Sequence, residues 1–204
     1  MHVDLLPFLA LSMLLIVIPG PDTAVVTKNA LLGGHRSGLY AALGVSLGLT
    51  IWTLGAALGL AALLDASEVA FFALKIAGAV YLVWIGVQLL RTRGSLAGLP
   101  GGRRVGRVKA LRQGLLSDLG NPKIAVFFTS FLPQFIHGSG GAFAALLTLG
   151  AIFVVLTLTW LAGYALLVGQ ASSFLVRPRV RAVLDRVTGV VLIGFGIRLA
   201  FEHR

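Results

Sequence analysis

Apolar residues dominate six long blocks of this chain, at about residues 4 to 26, 38 to 64, 69 to 90, 111 to 135, 142 to 168 and 183 to 201, each long enough for a helix to cross a bilayer with some tilt. Short polar stretches separate them. Lys28, His35 and Arg36 lie between the first and second blocks. Arg93, Arg103, Arg104, Arg107 and Lys109 lie between the third and fourth, flanked by Arg91 and Arg112. Arg177, Arg179 and Arg181 lie between the fifth and sixth, with Arg186 just inside the last. The two remaining connections carry Asp65 and Glu68, and His137 among glycines and a serine. Alternate connections are therefore basic, and the positive-inside rule turns that alternation into an orientation. Loops one, three and five are expected in the cytosol and both termini outside. An odd number of spans in each half then makes the halves insert in opposite directions, as an inverted repeat does.

Composition strengthens this picture. Hydrophobic residues make up 57% of the 204 and charged residues 12%, with a mean hydropathy of +0.95, values expected of an integral membrane protein. The opening MHVDLLPFLALSMLLIVIPG lacks a basic leader and a small-residue cleavage site, so it reads as a retained first helix. The net charge is +10, and the basic residues concentrate in connections, which fits cytosolic loops and contact with lipids better than a nucleic-acid groove. The chain has no cysteine, which removes disulfides, thiol relays and thiolate metal sites.

The expected fold is thus an all-α integral membrane protein of about six transmembrane helices, arranged as a first three-helix repeat (1–91), a basic cytosolic linker (92–110) and a second three-helix repeat (111–204). The linker, rich in glycine and arginine, reads as a solvated hinge, with docking of a partner or lipid as the alternative. Gly44, Gly48, Gly55 and Gly59 form GxxxG steps in the second block, and Gly189, Gly194 and Gly196 recur in the last. Both sets are read as close helix packing.

Two interruptions carry the candidate chemistry. The first block contains PGPDTAVV (Pro19 to Val26) and the fourth GNPKIAVF (Gly120 to Phe127). A shift of 101 positions places Leu14, Leu15, Pro21, Ala24, Val25 and Leu31 on Leu115, Leu116, Pro122, Ala125, Val126 and Leu132, and Asp22 on Lys123. Proline removes an amide hydrogen and clashes with the preceding turn, so each site is expected to break its helix and free backbone groups at membrane depth. Paired interruptions in corresponding halves are a pointer to a transporter site. Pro19, Gly20, Pro21, Asp22, Asp118, Asn121, Pro122 and Lys123 are therefore the candidate substrate and coupling residues, with broken first helices in both repeats.

Alternatives stand beside that reading. Asp22 can cap the half-helix that follows it, or serve an ion or substrate path, the usual place for a membrane carboxylate. Asp22 and Lys123 can form a structural ion pair, contact substrate, or do both by opening when substrate or a proton arrives. Ser46, Thr50, Thr53, Thr157 and Thr159 are expected to return their hydroxyls to their own helices rather than line a path. Trp52, Trp84 and Trp160 read as packing residues. His2, His35, His137 and His203 lie at ends or in loops without metal-ligand spacing. Phosphate-binding, zinc-protease and serine-histidine-acid motifs are absent from the sequence, so no cofactor, metal or enzymatic activity is expected.

PGPDTAVVTKNALLGGHRSGLYAALGVSLG, followed by GNPKIAVFFTSFLPQF, resembles the LysE-type amino-acid exporter family, in particular its homoserine and threonine efflux branch, RhtB. The resemblance covers essentially the whole chain. It implies export of amino acids or small analogues across a bacterial inner membrane, driven by the proton gradient, with neutral or small polar substrates favoured. The motif positions Pro19, Gly20, Pro21, Asp22, Asn121, Pro122 and Lys123 carry over as a candidate site without assigned roles. The partners implied are a small-molecule substrate and protons. A non-transporting scaffold or a passive channel is the alternative from another class, and a membrane enzyme a weaker third. Substrate identity, coupling stoichiometry and oligomeric state are not set by the sequence.

Overall fold

The computed structural model describes residues 2–66, 106–137 and 141–175, with scattered helical positions at 72–90 and 186–197. The described architecture is helical apart from one short strand pairing. α1 (Leu5–Val17) ends at a break, and α2 (Pro21–Ala66) follows. In the second half α3 (Arg107–Leu119) ends at another break, and α4 (Pro122–Val126) runs into a π-helical turn (Phe127–Phe131) and a 3-10 turn (Leu132–Phe135). α5 (Ala142–Leu175) completes the described helices.

α2 is two limbs joined at Gly34, whose φ of 78° and ψ of 173° suit glycine. The limbs fold back on each other, since a methyl group built on Gly38 would lie 2.9 Å from the Ala30 Cβ. The first broken span therefore extends to this turn rather than stopping near residue 26. Lys28 sits within the helix, and the expected first loop contracts to a tight turn bearing the exposed His35 and Arg36. The fourth span likewise starts at Arg107, four residues before the 111 that hydropathy suggests. Arginine and lysine are good helix formers, and their long side chains let a helix begin beyond the apolar zone. Spans three and six, apart from scattered helical positions, and most of the 92–110 linker lie outside the described residues.

Among the described residues, two segments, Pro21–Gly59 and Ala142–Val168, are long and apolar enough to cross a membrane, with mean hydropathies of 1.7 and 2.3. On the second limb of α2, Leu43, Leu47, Ile51, Leu54 and Leu58 form an exposed stripe at helical spacing, whereas Ala41, Ala42, Val45, Leu49, Ala56 and Ala57 are buried. Large aliphatic residues outside and a mainly small inner face, built on Ala41, Ala42, Ala56 and Ala57, suit a helix solvated by lipid, because small residues permit close backbone approach.

Helix directions follow from the contacts. Methyl groups built on Gly44 and Gly114 would each lie 2.0 Å from a backbone carbonyl oxygen, those of Leu111 and Ala41 respectively, and one on Gly48 would meet Asp118. The second limb of α2 and α3 thus run parallel with backbones in contact. Gly150 meets Thr53 and Gly38 meets Ala165, so α5 runs antiparallel to that limb. Of the expected glycine contacts on α2, Gly44 and Gly48 pack as close-approach residues, while Gly55 and Gly59 are exposed. Gly189 and Gly196 lie outside the described residues.

β1 (His2–Val3) pairs antiparallel with β2 (Ile136–His137), and the Asp4 amide donates to the Phe135 carbonyl at 3.0 Å. The start of α1 and the end of the broken fourth span therefore share one end of the molecule. Phe8, Phe127, Phe128, Phe135 and Phe153 fill the space beneath that end, with Phe127 and Phe153 stacked at 4.5 Å. This aromatic packing locks α1, the π-helical turn and α5 together.

Candidate functional site

The two proline motifs break the chain in the same way. Ile18 is extended (φ −67°, ψ 115°) before Pro19, and Asn121 is extended (φ −81°, ψ 108°) before Pro122, as steric clash with the proline ring requires. Pro21 and Pro122 then open the following helices, where their missing amide hydrogens cost nothing. At the first break the Gly20 carbonyl accepts from the Ala24 amide at 3.0 Å. At the second, the Asn121 carbonyl accepts from Ala125, also at 3.0 Å. Asn121 adds a side-chain cap, its Oδ1 accepting from the Lys123 amide at 3.1 Å.

The charges after the prolines cross over. Asp22, 8% exposed, sends its carboxylate to the second half, where Oδ1 accepts from Ser117 Oγ at 2.8 Å and Oδ2 from Asn121 Nδ2 at 2.5 Å. Lys123 sends its ammonium to the first half, where Nζ donates to the carbonyls of Leu15 at 2.8 Å and Ile18 at 3.3 Å. Those carbonyls belong to the end of α1, which the break leaves without helical donors and at the negative pole of the helix dipole. The lysine passes Gly20, where a built methyl group would lie 3.3 Å from Nζ.

Among the described residues Asp22 and Lys123 form no direct ion pair. Each charge is balanced by dipoles of the opposite break, so the direct pair considered from the sequence becomes an indirect brace. Asp22 also does not cap its own helix by a side-chain bond. The capping reading fits Asn121 instead.

Asp118 lies one turn before the second break and is fully buried. Neither carboxyl oxygen has a hydrogen-bond donor among the described residues. Gly48 of α2 makes room for it, since a methyl group there would sit 2.5 Å from Oδ2, and Trp52 Nε1 reaches its main-chain carbonyl at 3.4 Å. Asp22, Asp118, Asn121 and Lys123 thus converge around the two breaks. Pro19, Gly20, Pro21 and Pro122 supply the backbone geometry.

Ser117, Gly48 and Trp52 were not singled out as site residues by the sequence. Ser117 precedes Asn121 by four residues, which was a readable sign of a shared face. Gly48 reads in the sequence as a packing residue, and its contact with Asp118 depends on a helix crossing that sequence does not specify. The expected hydroxyl back-bonds occur at Ser46, Thr50, Thr53 and Thr159, each bonded four residues back. Thr157 departs from that expectation, its buried hydroxyl making no such bond. Trp84 is exposed and Trp160 partly buried against the core.

Apolar outward faces and close-packed small residues within, with charged groups at two mid-helix breaks, are the build of a helical membrane protein. The chain belongs to the LysE type translocator family, which it matches over residues 13–203, a family of transporters rather than enzymes. It is 30% identical to the uncharacterized membrane protein YrhP of Bacillus subtilis, with 97% of this chain and 98% of that protein aligned. It is 29% identical to a homoserine/homoserine lactone efflux protein of Salmonella typhimurium, covering 95% and 94%. A threonine efflux protein of Escherichia coli is also 29% identical, covering 98% and 100%. No solved structure matches the chain.

Proposed function

We propose that this protein exports amino acids or small amino-acid analogues from the cytosol across a bacterial inner membrane, by proton-coupled alternating access of two inverted three-helix halves. The halves are residues 1–91 and 111–204, the basic segment around 92–110 is cytosolic, and both termini are external. The crossed brace at the two breaks carries this reading: Asp22 is held by the second half, and Lys123 by the first. A ligand bearing a carboxylate and an ammonium can replace both sets of contacts, and doing so frees one half from the other. The relatives named for homoserine and threonine efflux support that chemistry. Opposed helix directions and shared proline breaks support the inverted halves.

In this mechanism the substrate carboxylate takes Lys123 and the amides that open the half-helices after Pro21 and Pro122, where the helix dipole favours an anion. Asp22 or Asp118 receives the substrate ammonium, and the other carboxyl carries the proton. Binding thus exchanges protein contacts for substrate contacts, so that the free-energy change between the two facing states stays small. Counterflow of labelled L-threonine and L-homoserine in proteoliposomes tests the function. Saturable counterflow is expected. A scaffold gives none, and a channel gives unsaturable flux without counterflow.

A further inference from the structure

Among the described residues, most polar groups around the breaks have protein partners, but the Asp118 carboxyl does not. Asp22 accepts from Ser117 and Asn121, and Lys123 donates to Leu15 and Ile18. Asp118 is 0% exposed, and among the described residues neither of its oxygens has a donor. The pocket is shaped to keep it there, because Gly48 leaves only enough space for the carboxyl group and Trp52 holds the adjoining carbonyl. A carboxylate in such a place has no compensating hydrogen bond, whereas the neutral acid avoids the cost of burying a charge. Among the described residues, the charged groups that face it are Asp22, held by Ser117 and Asn121, and Lys123, whose ammonium is committed to carbonyls across the break.

We infer that Asp118 is the proton-binding residue of this transporter, sealed by Gly48 in its neutral form and exposed for proton exchange when the two halves separate. The inference rests on the export reading and divides the work of the carboxyls: Asp22 braces the halves and meets the substrate, and Asp118 carries the coupling proton. In each cycle the Asp118 O–H bond forms by taking a proton from water on the external side and breaks by returning it to cytosolic water. One proton moves inward as substrate moves outward, with no other bond changed. Re-entry of the carboxyl into its pocket requires the neutral form, so an ionised Asp118 keeps the substrate-free halves apart, and only the protonated or the substrate-loaded carrier changes its facing side.

The test uses full-length protein in proteoliposomes, with L-threonine and L-homoserine as probes. For the wild type, a gradient of one pH unit should shift the steady-state substrate ratio about tenfold for each coupled proton. In Asp118→Asn, whatever exchange rate remains should no longer respond to the gradient. A gradient response that persists in the variant overturns the inference, as does a wild type that exchanges substrate without one. Wild-type protein with no counterflow at all contradicts the export reading instead. A second measurement needs no variant. Infrared spectra of the wild type at neutral pH should contain the C=O stretch of a protonated carboxyl in an apolar site, and this band should move when aspartate is isotope-labelled. Absence of that band also overturns the inference.

Discussion

Asp22 and Lys123 hold the same position after their respective prolines, and each is bound by the half of the protein to which it does not belong. Asp22 is held by Ser117 and Asn121, and Lys123 by the main chain of Leu15 and Ile18. The arrangement pins two broken helices without bringing the opposite charges into contact. It also places the charges on separate partners, which affects how their removal combines.

A direct pair would make the double neutral variant recover stability, because a lone buried charge costs more than none. The indirect brace predicts otherwise. Asp22→Asn and Lys123→Gln should each destabilise the protein by about 1.5–3 kcal/mol, the range for charge-assisted hydrogen bonds. The double variant should be less stable than either single one, as thermal unfolding in detergent will read. Recovery above the worse single variant would show that the two side chains pair directly.

Contact between α2 and α3 gives a prediction independent of transport. A methyl group on Gly44 or Gly114 falls 2.0 Å from a backbone carbonyl oxygen, and backbone cannot rotate aside as a side chain can. Gly44→Ala and Gly114→Ala should each cost about 1–3 kcal/mol, as overpacking does. Exposed Gly55 serves as the control, where alanine should change stability by no more than about 0.5 kcal/mol. Equal stability of all three variants would contradict the close crossing.

Gly34 makes the turn between the two limbs of α2 with a backbone conformation nearly confined to glycine. Gly34→Ala should cost about 1–3 kcal/mol through backbone strain alone. Nothing lies within 4 Å of a methyl group built there, so a loss of stability cannot be assigned to crowding. An unchanged melting temperature would mean that the limbs join in another conformation.

The proline breaks and the charges beside them were legible because proline acts locally, and a membrane span tolerates few charges. Repetition at a fixed spacing identified them further, as did the resemblance to an exporter family. Asn121 was legible as a candidate but not as the cap and clamp that it becomes, since its partners are 2 and 99 residues away. The first loop was misjudged because hydropathy sees Lys28, His35 and Arg36 as a polar gap, whereas one glycine turns the chain. The indirect brace was not legible at all. Whether two charges meet or take separate partners depends on fractions of a turn between packed helices, which repeat alignment does not resolve.

The proposed orientation expects Gly102 in the cytosol and Ser67 and Gly140 on the external side. The chain lacks cysteine, so single cysteines at these positions can be labelled without background. An impermeant maleimide applied to intact cells should modify positions 67 and 140 and spare 102 until the membrane is opened. External labelling at 102 would overturn the orientation and remove the topological support for inverted halves.

Transport per folded protein tests the central claim that the crossed breaks form the transport site. Counterflow of L-threonine and L-homoserine should be measured for the wild type, Pro21→Ala, Pro122→Ala, Asp22→Asn, Lys123→Gln and the double charge variant, each normalised to correctly folded protein. Every variant should lose at least about tenfold in normalised rate, the charge variants through one lost charge-assisted contact in the transported state and the proline variants through displacement of the break that positions it. Wild-type rates in the double charge variant, or in both proline variants, would contradict it.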